Sequence, residues 1–147
     1  MSKQRQRLEQ FELARFVDAQ EESFAMALKE LRRGQKESHW MWFIFPQLAG
    51  LGTSPMAVRY AIQGIEEAGA YLKHPVLGPR LMECCRALLS VEGKSALDIM
   101  GYPDDLKLKS SMTLFAGVAE AAPEFNAVLV KYFAGAQDER TLGLLKQ

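Results

Sequence analysis

Cysteine and histidine are scarce in this chain, two of each in 147 residues. The cysteines, Cys84 and Cys85, are adjacent, and neighbours on a helix point about 100° apart, which makes a mutual disulfide awkward. They cannot form a disulfide framework or a four-ligand zinc site, and they read as two small residues in or near a helical core. With only His39 and His74, a histidine-rich metal site is excluded, and no spacing supports a two-histidine site completed by carboxylates. The disulfide-free composition agrees with a reducing cytoplasm, the expected location. Net charge is absent too. Eighteen Lys and Arg balance eighteen Asp and Glu. That balance argues against non-specific binding to nucleic acid, which needs a basic excess to displace phosphate counterions. Residues 1–36 carry eight positive and six negative charges, too small an excess for a basic patch. Neither nucleic acid nor membrane is an expected partner.

A long apolar run is missing as well. From Ser38 to Val58, 21 residues contain no Asp, Glu, Lys or Arg, and a bilayer span takes roughly 20 apolar residues. Ser38, His39, Gln47, Gly50, Gly52, Thr53 and Ser54, with Pro46 and Pro55, interrupt the segment, so it reads as buried core followed by a turn. The first ten residues are polar, carry both signs and lack the apolar run and cleavage site of a secretory signal. They are expected to be disordered. Phosphate-loop, dinucleotide-binding, zinc-protease and nucleophile-elbow motifs are all absent, and no cofactor is implied. There is no run of alternating or β-branched residues that would mark a sheet.

What is present is helical punctuation. Hydrophobic residues make up 48% of the chain, and a domain of this size buries roughly 70% of its unfolded surface without metal or disulfide staples. Gly and Pro occur singly, at helix ends. The spacing predicts a helix over Asp18–Arg33, capped by Asp18 and stopped by Gly34, with a shorter helix before it that turns Leu8, Phe11 and Phe16 inward. Further helices are predicted at His39–Phe45, from Pro55, around Ile65–Leu72, from Pro79 to about Val91 and at Ala96–Met100. The last three run from Pro103 to about Ala121, from Pro123 to Phe133, and onward from the cap Asp138. The expected fold is a single all-α domain over residues 1–147, with about seven or eight helices and the Pro103 helix near its centre.

Three segments carry candidate chemistry. In "SHWMWFIFPQLAGLG", Trp40, Phe43 and Phe45 read as core. His39 and Trp42 fall on another side of the helix and, with Gln47, face a cavity: an aromatic platform beside polar donors is one way to hold a planar group. In "DDLKLKSSMTLF", Lys107, Ser110, Ser111 and Leu114 share one sector. A lysine among hydroxyls suits a phosphate or carboxylate, whereas buried hydrogen bonding and an Asp105–Lys109 ion pair are the plainer use of these residues. In "KHPVLGPRL", His74 reads as a residue satisfying free helix carbonyls, and Arg80 as a salt-bridge residue or a bidentate anion ligand. Arg59 and Tyr60 suit a surface ion pair and a hydrogen bond.

These segments, with "SPMAVRYAI" and the closing "DERTLGLL", resemble the bacterial domain-of-unknown-function 1810 family, members of which have sometimes been labelled calpastatin. The resemblance runs from about Arg15 to Leu145. It implies an all-α single domain and brings no established reaction, cofactor or catalytic residue.

Two functional readings follow from the residues. The first is a pocket for a small planar or anionic metabolite, nucleotide- or sugar-phosphate-like, where the His39, Pro55 and Pro103 helices converge. Trp42, Gln47, Tyr60, Arg80 and Ser111 would bind it. In a hydrolase, His39 would act as general acid or base and Lys107 would stabilise negative charge. The second is a non-catalytic interaction module whose aromatic segment is only core and whose outer helices meet a protein partner of unknown identity.

Overall fold

Residues 11–147 are described by a computed structural model, and helices dominate them. The expectations for Leu8 and for the first ten residues lie outside that range. Helix α1 runs from Ala14 to Arg32. It starts a turn before Asp18, so Asp18 is exposed within the helix and caps nothing. Gly34 adopts the left-handed conformation (φ 72°) that ends the helix as expected.

After α1 come α2 (Met41–Ile44), α3 (Pro55–Arg59), α4 (Ile65–Lys73), α5 (Leu77–Ser90) and α6 (Ala96–Met100). The chain continues with α7 (Asp104–Ala116), α8 (Pro123–Phe133) and α9 (Glu139–Leu145). Local chemistry explains most boundaries. Ser54 accepts from the Ala57 amide to cap α3, with Pro55 in its first turn. Ser95 and Asp98 form a reciprocal capping box on α6. Asp138 accepts from the Thr141 amide on α9. Helix α7 ends at Ala116 rather than near Ala121, because Gly117 terminates it.

Among the described residues no strand forms; a single parallel bridge joins Leu48 to Ile62. Through it the Ala49 amide donates to the Ile62 carbonyl at 2.8 Å and the Ile62 amide to the Gln47 carbonyl at 2.9 Å. This bridge holds the loop after α2 against the turn after α3.

Helix α7 is the centre. From Leu108 to Phe115 all but Lys109 are buried, hydroxyls included. Helix α8 packs along it, α5 packs against α1, α4 and α8, and α9 closes on one side of α7. Trp40, Phe43 and Phe45 lie in this core as the sequence indicates. No described helix is long and apolar enough to cross a membrane.

Candidate functional site

Five parts of the chain meet at a cleft of about 520 Å³: Trp42 of α2, the loop Gln47–Ser54, Tyr60 just after α3, the first turns of α7, and the start of α9. Each wall is held from behind. Trp40 points inward and its indole N–H donates to Glu30 Oε1 at 2.9 Å. The same carboxylate accepts the Glu37 and Ser38 amides at 2.9 Å each, and the Ser38 hydroxyl at 2.6 Å. Burial by itself would raise the Glu30 pKa; the four donors outweigh it and hold the group at about 2. A buried carboxylate thus fixes the approach to α2, and Trp42, two residues beyond Trp40, stays half-exposed on the cleft.

The cation on the wall belongs to a short network. Lys36 Nζ lies 4.8 Å from the Trp40 ring centre and 2.8 Å from Asp104 Oδ2. The other Asp104 oxygen is 3.8 Å from Lys107 Nζ, a loose pair, and that ammonium lies 5.5 Å from the Trp42 ring centre. Lys107 is therefore poised over an aromatic face with its donors largely unspent. The expected Asp105–Lys109 pair does not form; Asp104 pairs instead with Lys36 and Lys107, and Asp105 Oδ1 is buried without a partner.

Tyr60 is only 8% exposed, its ring packed 5.8 Å from Phe16 and 5.4 Å from Phe43, centre to centre. Among the described residues its hydroxyl finds no protein partner, and neither does the Gln47 amide. Ser110 spends its proton on the Leu106 carbonyl at 3.2 Å. Opposite, Arg140 donates to the Gly50 carbonyl at 3.3 Å, linking α9 to the loop. Asp138 supplies the one carboxylate on the walls, and one of its oxygens is taken by the Thr141 amide and hydroxyl. The walls therefore offer mostly donors and positive charge.

Four residues singled out from the sequence meet here: Trp42, Gln47, Tyr60 and Lys107. Three do not line the cleft. His39 is exposed and off the wall; α2 starts at Met41, so the helical spacing expected to put His39 beside Trp42 does not exist there. Arg80 packs over Phe24 at 5.0 Å, with Nη1 3.4 Å from Gln20 Oε1. Ser111 is fully buried with its hydroxyl unpartnered, while its neighbour Ser110 takes the wall position. The His39–Lys107 acid–base arrangement is accordingly not assembled. Sequence reading missed Arg140, although "DERTLGLL" was in view, because it sits just past a cap and its partner Gly50 is 90 residues away.

Other reactive groups are occupied elsewhere. Burial pushes the Cys84 thiol up to about 12 and the Cys85 thiol well upward, so neither is a nucleophile at neutral pH. His74 Nδ1 accepts the Val76 and Leu77 amides at 3.1 and 3.2 Å, which caps the start of α5 rather than the end of the preceding helix. Among the described residues no group of three or more His, Cys, Asp or Glu could hold a metal ion.

The family model described as "Protein of unknown function (DUF1810)" matches residues 10–145, and the chain belongs to that family. The crystal structure of the conserved hypothetical protein Rv1873 from Mycobacterium tuberculosis is similar, with 55% sequence identity and a TM-score of 0.91. That similarity covers 93% of this chain and 98% of the mycobacterial one. No curated protein matches.

Proposed function

We propose that this DUF1810 family member binds a small anionic metabolite with a planar group in the cleft between α2, α3, α7 and α9. The observation that carries the reading is the convergence of Trp42, Tyr60, Gln47, Lys107 and Arg140 on one concavity. Unspent donors, a lysine over a half-exposed indole and a second cation on the walls suit an acceptor-rich anion with a flat face. A volume of about 520 Å³ lies in the usual range for small-molecule pockets. The walls bring no nucleophile beside a base, so the proposed activity is binding, without hydrolysis.

Thermal unfolding in the presence of nucleoside monophosphates, sugar phosphates and inorganic phosphate tests this. A compound at 100 times its Kd stabilises the native state by about 2.7 kcal/mol. Lys107→Met is expected to weaken binding at least tenfold, a charge-assisted hydrogen bond contributing about 1.5–3 kcal/mol, whereas His39→Ala leaves it unchanged. Quenching of Trp42, half-exposed where Trp40 is buried, gives a second signal. Absence of any shift or quenching across the panel sinks the reading.

A second reading, a protein-interaction module, draws on the exposed apolar residues Tyr102 (77%) and Leu106 (50%) at the start of α7. It is favoured if the panel is silent and Leu106→Asp alone abolishes association with a protein.

A further inference from the structure

Tyr60 follows the end of α3, and the stretch Arg59–Gln63 separates two clefts. Tyr60 lines the cleft described above; Arg59 and Gln63 line a second, of about 480 Å³, on whose floor lie Arg15 and Glu67. The Arg15 guanidinium reaches the turn on both sides of Tyr60. Its Nε donates to the Arg59 carbonyl at 2.9 Å, and its Nη2 to the Ala61 carbonyl at 2.8 Å. The same Nη2 lies 3.0 Å from Glu67 Oε2, and Glu67, 1% exposed, accepts the Gln63 amide on Oε1 at 2.8 Å. Nη1 ties the group to the turn before α1 through the Phe11 and Glu12 carbonyls, at 2.5 and 3.0 Å. The guanidinium lies 4.3 Å from the centre of the Phe16 ring, which packs on Tyr60. A planar fork with five N–H donors meets these acceptors together; an ammonium with three donors at one point does not.

We propose that Arg15 is a positioning residue for the cleft: it fixes the backbone on both sides of Tyr60 and thereby aims the Tyr60 hydroxyl at the bound anion. The proposal rests on the cleft reading above for its consequence, though not for its geometry. Glu67 holds Arg15 in place and closes the far end of the turn through Gln63. The polar atoms of this pair are spent on protein, so the pair serves as a scaffold for the turn.

Fluorotyrosine labelling followed by fluorine NMR reads the environment of Tyr60 directly, with Tyr132, whose hydroxyl bonds the Leu88 carbonyl, as an internal control. Arg15→Lys keeps the charge opposite Glu67 and is expected to shift and broaden the Tyr60 signal in the ligand-free protein, leaving Tyr132 unmoved. Adenosine 5′-monophosphate, glucose 6-phosphate and inorganic phosphate are the probes. For whichever binds the wild type, Arg15→Lys is expected to lower affinity as much as Tyr60→Phe does, and the double variant to lose no more than either alone. Glu67→Gln, a milder change, is expected to move the Tyr60 signal in the same direction, and it serves if Arg15→Lys does not fold. An unmoved Tyr60 signal in a folded variant overturns the proposal, as does full additivity of the two losses. If the Tyr60 signal moves but no probe binds the wild type, the positioning stands and the cleft reading fails.

Discussion

Glu30 shows how one side chain can govern a segment. Its carboxylate is 1% exposed and accepts four donors from Glu37, Ser38 and Trp40. Glutamine at this position keeps one acceptor and turns an amide N–H₂ toward groups that themselves donate. Glu30→Gln is expected to cost about 3 kcal/mol in urea denaturation. The held carboxylate has a pKa near 2 against 4.5 in its ordinary state. Its contribution is therefore complete above the ordinary value and drains away as pH falls toward the lower one. His74 works at milder pH. Burial lowers its pKa from 6.5, and the unprotonated Nδ1 caps α5. Its contribution is present above 6.5 and is lost as pH falls through the lowered native value. Denaturation midpoints between about pH 7 and pH 5 are expected to drop more in the wild type than in His74→Asn, whose side chain accepts without titrating in that range.

At the scale of elements, close approach decides more than propensity. Helices α4 and α5 meet where a Cβ on Gly78 would lie 2.2 Å from the Leu72 carbonyl oxygen. Gly78→Ala forces backbone apart and is expected to cost about 3 kcal/mol, measured as a fall in midpoint at unchanged slope. Helix α7 joins to α9 through Thr113, whose hydroxyl donates to the Lys109 carbonyl at 2.8 Å and accepts the Asp138 amide at 2.9 Å. Thr113→Val leaves that amide unpaired and is expected to cost about 2 kcal/mol. Since α9 carries Arg140, the same variant should weaken anion binding, a linked loss that titration of the folded variant will reveal.

Across the whole molecule, a neutral total hides an uneven distribution. Residues 37–62 carry only Glu37 and Arg59 as charged side chains. The charges at the cleft come from far along the chain, Lys107 on α7 with Asp138 and Arg140 at the start of α9. The cleft exists only once α7 is buried and α9 has closed on it. Adding salt is expected to weaken binding of inorganic phosphate more than it lowers stability, because the cations lie at a solvent-facing wall while the core is apolar.

Local chemistry sets the helices and most of their ends, and the sequence shows it. Gly34, Pro55 and Asp138 act within a few residues of their own position, and local hydrogen bonds and allowed backbone angles suffice to read them. The sequence also marked Trp42, Gln47 and Tyr60, which stand out in a stretch poor in charge, and Lys107, a lysine among hydroxyls on one helix. Tertiary structure decided the rest. Whether Ser110 or Ser111 faces the cleft depends on the rotation of α7 within its neighbours, and one residue shifts a helix face by about 100°. Ser38, just before the predicted His39 helix, bonds to Glu30, eight residues earlier on α1. His39 left the site because α2 begins two residues after it. Arg15 and Arg140 act on partners 44 to 90 residues away. Such pairings are set by how the helices pack, and no local period or spacing records them.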